Sequence, residues 1–551
     1  MKKLLMTALL LTSCTTIPSS SLKESSSLSS SESSLPTAED ILVSQVRTVN
    51  GKTYLEVEGN PFTIFAAQLR LDGLMNRAVF SGVLPPLEYS EMEKYFEYAH
   101  NLGLNTLGIP LEWSKIEIEE DVYDFTLMDN ILFYLDKYNL KVEWLWFSYN
   151  MCGDTHSFTM PDYINNNKID YPDFPRQSAS YYNKMYGWMS NIDLSNSLLL
   201  QREQIVLEKI MDYLYERAKT LNKKETISFQ IHNESDGLLR WRLEQSQISD
   251  PLTNELFTPE RLWELTLNSL NSAGLAVKNS KYKCLTRVNA TVNFGLLDFP
   301  QFPNKELSHK QTVDLPGIDI VGDDPYVTDI KTVAGEIEKL RYHNNYPHIS
   351  ENMGEYENSA SLMLGVYQQG GSYVLYDLAT PAYFIQINGN SAYQMDQGIL
   401  TYNLEDKAHT DIVRQLVLAL NKANSVLPLI DSQDFAIYNL NNQFKIGNYT
   451  QTVKTTQHEI TFNASDGSLG FAFSKDNYIY YGSSGTVNFT LKNGIVAPVA
   501  EIGYFNKEGE FVRELTTYLT DKMISEAGKL YRVKVNSISR EVISDTNDYL
   551  L

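Results

Sequence analysis

Two glutamates follow apolar segments at places where a pair of carboxyl groups could do acid–base and nucleophilic chemistry. Glu234 comes directly after Asn233 at the end of the apolar run Ile227–Ile231, and Glu351 ends the segment that begins at Tyr346. Hydrolysis of a glycosidic bond with retention needs two carboxyl groups, one protonated for the leaving oxygen and one ionised to attack the anomeric carbon. A carboxyl group directly after a buried strand is poorly solvated, which suits a general acid. We therefore predict Glu234 as the acid/base.

The elements that must position these side chains alternate between strand-like and helix-like patterns. Eight strand-like segments are Phe62–Leu69, Asn105–Ile109, Val142–Phe147, Ile227–Ile231, Cys284–Val288, Ile318–Val321, His348–Ser350 and Tyr373–Leu375. The alternation predicts an α/β fold, a (β/α)8 TIM barrel over residues 39–428. A doubly wound sheet is disfavoured because no glycine-rich phosphate loop follows the first strand. The carboxyl ends of all barrel strands meet at one face, so that face is the expected site.

From about residue 430 the pattern changes to short strands separated by Gly, Asn and Asp turns. Lys507-Glu508-Gly509, for example, lies between the strand-like segments Ile502–Phe505 and Phe511–Leu515 as a hairpin turn. We predict an all-β sandwich domain over residues 429–551. Such a domain either braces the barrel or binds carbohydrate.

The N-terminus predicts export and a lipid anchor. Lys2 and Lys3 precede the short apolar stretch Leu4–Leu11, which is too short to stay in a bilayer as a spanning helix. The sequence Leu11-Thr12-Ser13-Cys14 resembles a bacterial lipobox, so residues 1–14 are expected to be a lipoprotein signal peptide and Cys14 the lipidated residue. Residues 15–38 form a Ser-rich tether. The expected location is the bacterial cell envelope, outside the cytoplasm; a plain secretory signal with a chance cysteine is the alternative.

Charge and cysteine content limit the partners. The net charge of −22 over 551 residues argues against nucleic acids, anionic membrane surfaces and polyanionic substrates, so a neutral ligand is expected and the membrane is reached only through the anchor. Cys and His show no zinc-type spacing, and no metal or cofactor is predicted. Cys152 and Cys284 are expected to be buried free thiols. The sequence does not indicate an oligomeric state.

Several motifs resemble the retaining glycoside hydrolases of clan A, whose fourth barrel strand ends in Asn-Glu. Gln230–Glu234 is similar to the Gln-x-x-Asn-Glu of the family 35 and family 42 β-galactosidases. Gly103–Trp113, with the later Tyr123-Asp124-Phe125, resembles their second strand and its loop. The resemblance spans roughly residues 50–425. It departs at the eighth strand, where the usual Trp is absent because all six Trp residues lie at or before Trp263.

Further residues are assigned roles by the resemblance or by their own type and position in the sequence. The resemblance makes Glu351, after the seventh strand, the nucleophile, with Glu355 as the alternative a turn further on, and it places Tyr326 near the nucleophile. Asn233 offers an amide to a sugar hydroxyl. Gln68 and Arg70 alternate with Asp72 at the end of the first strand and could share one face, where Arg70 binds substrate or forms a salt bridge. Two rings are candidates for stacking on a sugar or for core packing; they are Trp113 and Trp146.

The function implied by these motifs is that of a retaining, exo-acting β-glycosidase for neutral oligosaccharides, with β-galactosidase the best single choice. A β-mannosidase or β-glucosidase would carry the same two glutamates. The alternative from another class is a non-catalytic glycan-binding surface lipoprotein. The separation between the Glu234 and Glu351 carboxyl groups distinguishes the two classes, because retaining catalysis requires about 5–5.5 Å.

Overall fold

The computed structural model describes most of the chain from residue 39 onward. The described residues are 39–75, 86–148, 159–175, 192–235, 248–290, 310–342, 345–354, 356–379, 384–387, 390–394, 398–400, 404–440, 449–464, 467–492, 495–518 and 523–536. The predicted signal peptide, tether and lipidation site at Cys14 lie outside these ranges, as do Cys152 and Glu355.

Eight parallel strands close into a barrel, in the order in which they occur in the chain. We number them β1 (Phe65–Gln68), β2 (Thr106–Glu112), β3 (Lys141–Phe147), β4 (Thr226–Ile231), β5 (Leu285–Ala290), β6 (Ile320–Asp323), β7 (His348–Met353) and β8 (Ser372–Tyr376). Closure is made by β8 pairing with β1, for example Tyr373 with Phe65. Each strand overlaps one of the eight predicted segments, so the predicted parallel barrel is confirmed at the level of strand number and order.

Helices separate most of the barrel strands in the chain. Their bounds are Leu71–Met75, Glu93–Asn101, Trp113–Ile116, Thr126–Lys137, Asp162–Asn165, Ser197–Leu221, Pro259–Lys278, Ile330–Tyr342, Ser359–Gln368 and Thr410–Asn421, with short 3-10 turns at Tyr89–Glu91 and Leu427–Leu429. The two longest have side-chain N-caps: Asn196 accepts the Leu199 N–H at 2.9 Å and Thr258 accepts the Arg261 N–H at 3.2 Å. These caps fix where the helices before β4 and β5 begin.

Short strands outside the barrel cover its amino end and decorate its loops. Their bounds are Ile41–Leu42, Ser44–Val49, Lys52–Val57, Asn60–Phe62, Glu117–Glu119, Val122–Tyr123, Tyr282–Lys283, Phe384–Ile387 and Asn390–Gln394. Ser44 connects the strand Ser44–Val49 to the barrel, because its hydroxyl donates to the Ile227 carbonyl and accepts the Leu285 N–H at 3.1 Å. These contacts place the Ser44–Val49 strand at the amino end of the barrel, and the site is expected at the opposite, carboxyl end of the strands.

The interior of the barrel holds a buried ion pair between Arg287 and Glu143. Arg287 on β5 donates to Glu143 on β3 at 3.2 Å and to Gln230 on β4 at 2.5 Å, and Ser228 donates to the same Glu143 oxygen at 3.1 Å. His348 on β7 lies in this region, and burial together with the Arg287 cation lowers its pKa well below the usual range. The barrel interior is thus polar as well as packed, and Glu143 has a structural role there.

The C-terminal region is a β-sandwich. Its strands are Phe435–Asn439, Tyr449–Lys454, Glu459–Ala464, Leu469–Lys475, Tyr478–Ser483, Val487–Leu491, Ile495–Phe505, Phe511–Tyr518, Met523–Ser525 and Tyr531–Asn536. They form a six-stranded and a four-stranded antiparallel sheet that share one core, in which Tyr438 stacks on Phe462 with ring centroids 3.9 Å apart. The opposite face of the larger sheet packs on the barrel's own core through Phe471 and Phe473.

Two further properties of the described residues bear on the predictions. Cys284 is a buried free thiol, as expected. None of the helices in the described ranges is long and apolar enough to cross a membrane.

Candidate functional site

Three carboxyl groups meet at the carboxyl end of the barrel. Glu234 follows β4, Asp324 follows β6 and Glu351 lies within β7. One carboxylate oxygen from each lies within 4.8 Å of the others, and all three residues are buried. The two glutamates predicted from the sequence are therefore brought together, with a third carboxyl group between the same strands.

Glu351 has a hydrogen-bond donor at each carboxylate oxygen. Gln68, at the end of β1, donates its amide to Oε1 at 2.5 Å, and the Tyr326 hydroxyl donates to Oε2. Both donors come from residues that the sequence placed in the site. These two hydrogen bonds fix the orientation of the Glu351 carboxylate, and through one of them Gln68 contacts the predicted nucleophile directly.

Glu234 is held through its backbone. Its N–H donates to the side-chain carbonyl of Asn289, at the end of β5, at 3.0 Å. The Asn289 amide donates in turn to Asn233 Oδ1 at 3.1 Å and to Asp324 Oδ2 at 2.7 Å, while Gln230 donates to the same Asn233 oxygen at 2.9 Å. Asn289 thus connects the turn after β4 to the carboxyl group after β6.

The backbone at this end of the barrel is locally strained. His232, Glu234 and Tyr326 have φ angles of +59°, +43° and +45°, in the left-handed region that residues other than glycine rarely adopt. Such conformations cost of order 1–3 kcal/mol each and cluster at functional sites. Two of the three residues were predicted from the sequence as site residues, and the surrounding hydrogen bonds hold all three in place.

Asp324 is the most deeply enclosed of the three carboxyl groups. It is 1% exposed, and its Oδ1 has no hydrogen-bond partner among the described residues. Burial, and then the nearby charges of Glu351 and Glu234, raise its pKa well above the usual range. Burial and the same two glutamates also raise the pKa of Tyr326, which keeps its hydroxyl a donor to Glu351.

A cation or a proton can relieve the repulsion within this cluster. Two like charges 4.8 Å apart repel by about 3–4 kcal/mol at an effective dielectric constant of 20. Hard cations such as Ca²⁺ bind six to eight oxygens, whereas both oxygens of Glu351 and one of Asp324 already accept hydrogen bonds here. The donor set therefore fits a shared proton better than a bound metal.

Arg70 forms the salt bridge that was one of its two predicted roles. Its guanidinium binds both oxygens of Asp72, at 3.0 and 2.7 Å, and donates to the Tyr376 hydroxyl at 3.0 Å. Tyr376 ends β8, and its ring meets the Tyr326 ring edge to face with centroids 6.0 Å apart. Arg70 therefore supports the wall beside Tyr326.

The two tryptophans are packed into the barrel wall. Trp113 and Trp146 are both 0% exposed, with ring centroids 6.2 Å apart. Their indole N–H groups donate to Glu117 at 2.9 Å and to Glu203 at 2.8 Å. This burial favours the packing alternative over stacking on a sugar for both rings.

Three contributors were missed by sequence reasoning: Asn289, Asp324 and Glu203. Glu203 lies within the helix Ser197–Leu221 and is hydrogen-bonded to His232 at 2.9 Å. Its position four residues after Leu199 and three before Val206 puts it on the apolar face of that helix, which is a detectable anomaly. Asn289 is likewise a polar residue at the end of an apolar strand.

Comparison with known proteins gives a family match and a set of similar structures. Residues 265–445, about a third of the chain, match a family described as "Domain of unknown function (DUF4978)". No curated protein matches the sequence.

The similar solved structures include three glycosidases. The β-galactosidase from Bacillus circulans sp. alkalophilus is 14% identical with a TM-score of 0.45, covering 67% of this chain and 57% of that one. The exo-β-1,4-mannosidase Op5Man5 from Opitutaceae bacterium strain TAV5 is 13% identical with a TM-score of 0.44, covering 70% and 63%. The β-galactosidase from the psychrophilic Marinomonas ef1 is 10% identical with a TM-score of 0.41, covering 65% and 59%. This chain thus spans about three fifths of the length of the structures it matches.

Proposed function

We propose that this chain is a retaining glycoside hydrolase, an exo-acting β-glycosidase for neutral sugars, with β-galactosides the first substrates to test. Glu234 is the acid/base and Glu351 the nucleophile in this proposal. The sugar preference rests only on the sequence resemblance, and the two glutamates would serve β-mannosides or β-glucosides equally well.

The observation that carries the proposal is the separation of the two glutamates. Their nearest carboxylate oxygens lie within 4.8 Å. Retaining enzymes hold their two carboxyl groups about 5–5.5 Å apart, whereas inverting enzymes need about 6.5–9.5 Å to admit a water molecule between carboxylate and sugar. The short separation supports attack by the carboxylate itself.

The proposed reaction is a double displacement. A carboxylate oxygen of Glu351 attacks the anomeric carbon while the bond to the leaving oxygen breaks and that oxygen takes the proton of Glu234. Water then attacks the same carbon, gives one proton back to Glu234 and releases the sugar from Glu351. Tyr326 and Gln68 orient the attacking carboxylate, and Asn233 supports sugar binding beside Glu234.

A screen of chromogenic glycosides tests the activity. We expect turnover of at least one β-glycoside, with the first-formed product in the β configuration by NMR. Glu234→Gln should lose nearly all turnover of poorly activated substrates, and azide should restore turnover of activated ones in Glu234→Ala. Glu357→Gln is the matched control, because Glu357 is an exposed glutamate in the loop after β7. An α product, or full activity in Glu234→Gln, contradicts the proposal.

The nucleophile can be identified by trapping. A 2-deoxy-2-fluoro glycoside with a good leaving group slows release of the covalent intermediate, so intact mass should rise by one sugar unit. The modified peptide should carry the sugar on Glu351. Label on Glu355 would transfer the role to that residue while leaving the retaining mechanism intact. Tight oligosaccharide binding without turnover or labelling would instead favour a non-catalytic glycan-binding protein.

We also propose that the protein is lipid-anchored in the bacterial cell envelope through Cys14. The support is the lipobox-like sequence Leu11–Cys14 and the Ser-rich stretch after it. Metabolic labelling with a fatty acid should mark the wild-type protein and fail to mark Cys14→Ala. Release of unlabelled wild-type protein into the medium would contradict the anchor.

A further inference from the structure

The third carboxyl group of the site has no part in the two-glutamate mechanism. Asp324 lies at the carboxyl end of β6, with an oxygen within 4.8 Å of oxygens from both Glu234 and Glu351. Double displacement uses one protonated and one ionised carboxyl group. A third one, 1% exposed and within 4.8 Å of both, therefore needs its own explanation.

The contacts of Asp324 indicate which form it takes. Oδ2 accepts the Asn289 amide at 2.7 Å, while Oδ1 is buried and has no hydrogen-bond partner among the described residues. Buried polar atoms are nearly always paired, so an unpaired carboxylate oxygen here would be costly. A proton on Oδ1 removes the charge and creates a donor that can face the neighbouring glutamate oxygens.

We propose that Asp324 is a third proton-holding group of the site, neutral while Glu351 is ionised and exchanging its proton with the titration of Glu234. This role rests on the proposed function. The charged and titratable groups that interact with Asp324 are Glu234 after β4, Arg287 on β5, Glu351 on β7 and Tyr326 in its own loop. Three carboxyl groups then hold two protons and a single negative charge.

This arrangement extends the pH range over which Glu234 stays protonated and can act as the acid. As the pH rises, the first proton to leave comes from either Glu234 or Asp324. Because the two groups are coupled, this loss is a property of the pair and cannot be assigned to one residue. When the proton leaves Asp324, Glu234 keeps its own proton, and the new negative charge nearby disfavours further ionisation. Asp324 is therefore a positioning residue that acts through Glu234, because it helps Glu234 to keep its proton.

The first test is the pH profile of Asp324→Asn, which keeps the shape and the acceptor for Asn289. We expect the alkaline limb of kcat/KM to move to lower pH by about half a unit or more. A purely structural role would lower kcat/KM at every pH without moving the limb. An unmoved limb, with or without a uniform loss of kcat/KM, overturns the proposal.

The second test does not depend on activity. Because burial raises the pKa of Asp324, its folded form keeps a proton that the unfolded chain loses above about pH 4, so wild-type stability falls as pH rises through that window. The difference in unfolding midpoint between Asp324→Asn and the wild type should therefore move in favour of the variant as the pH rises above about pH 4. Inactivity with this trend would reject the proposed function and keep the proton-holding role.

Asp329→Asn is the matched control for that trend. Hydrogen bonds from Thr332 lower the pKa of Asp329, an exposed aspartate five residues away. This variant should therefore fall behind the wild type only as the pH rises to about pH 4, and its difference from the wild type should stay flat above that pH. A flat difference for Asp324→Asn, or one that follows the Asp329 trend, overturns the proposal. So does a wild-type midpoint that shifts with Ca²⁺ or EDTA when that of Asp324→Asn does not, because Asp324 would then be a cation ligand.

Discussion

The side chain of Asn289 holds the backbone of Glu234, accepting its N–H at 3.0 Å across the β4–β5 boundary. The same side chain donates to Asn233 and Asp324, so one amide connects the candidate acid/base, its neighbouring amide and the third carboxyl group. Glu234 itself has a φ of +43°, a conformation that needs such outside support. The position of the acid therefore depends on a residue from the next strand.

Asn289→Ala should impair the reaction more than the fold. Loss of these hydrogen bonds frees the turn that carries Glu234, and small misplacements of a catalytic group cost about 10–100-fold in rate. We expect kcat/KM to fall by about that factor, mainly through kcat, in assays on the best chromogenic glycoside.

Asn345→Ala is the control for Asn289→Ala. Asn345 is also buried, but its side chain bonds both backbone groups of Val321, away from the three carboxyl groups. It should lower the unfolding midpoint while kcat/KM stays near the wild-type value. Equal effects of the two variants on kcat/KM would show that Asn289 acts only through stability.

Tyr326→Phe should weaken catalysis through Glu351. The Tyr326 hydroxyl donates to Glu351 Oε2, and burial raises its pKa so that it stays a donor at working pH. Hydrogen bonds to charged groups contribute about 1.5–3 kcal/mol, so we expect kcat/KM to fall about 10–100-fold. The measurement is steady-state kinetics at the pH optimum.

Tyr373→Phe tests whether this loss is specific. Tyr373 is also a buried tyrosine of a barrel strand, but its hydroxyl accepts from Asn352 at 2.9 Å, and in the described part of the chain it has no hydrogen bond to the three carboxyl groups. We expect a change in kcat/KM of less than about threefold, the usual scale for a change outside the reacting groups. A loss of kcat/KM as large as that of Tyr326→Phe would show that the effect does not come specifically from the contact with Glu351.

The sequence was sufficient for the barrel because its strands are apolar runs separated by helices. Glu234 and Glu351 could be placed because each follows such a run, and the carboxyl ends of parallel strands converge. The Asn289–Asp324 contact could not be predicted, since it depends on the registers of β5 and β6. Burial of Trp113 and Trp146 was also undecided, because an aromatic ring near a strand end suits a core and a sugar site equally.

Arg287→Met should destabilise the barrel strongly. Arg287 is 1% exposed and forms an ion pair with Glu143 at 3.2 Å, so its removal leaves a buried carboxylate without its cation. Breaking such a pair costs about 3–5 kcal/mol. Urea unfolding should show this loss, and the double variant Glu143→Gln/Arg287→Met should recover a large part of it.

Lys137→Met provides the comparison for Arg287→Met. Lys137 pairs with Glu93 at the surface, where its side chain is 47% exposed, and exposed ion pairs contribute little to stability. A small effect at Lys137 beside a large one at Arg287 would confirm that burial sets the cost. Similar effects at the two sites would contradict this explanation.

His348 should make stability depend on pH on the acidic side. Burial and the Arg287 cation lower its pKa well below 6.5, so the folded protein keeps it neutral while the unfolded chain binds a proton below about pH 6.5. Stability attributable to this residue is therefore complete above that pH and is lost as the pH falls, by up to about 1.4 kcal/mol per unit. In His348→Leu the slope of unfolding free energy against pH should decrease by that amount.

Ser372→Ala, which removes the 3.1 Å hydrogen-bond partner but keeps the histidine, should lower stability and retain the slope. An unchanged slope in His348→Leu would mean that His348 is not the group responsible.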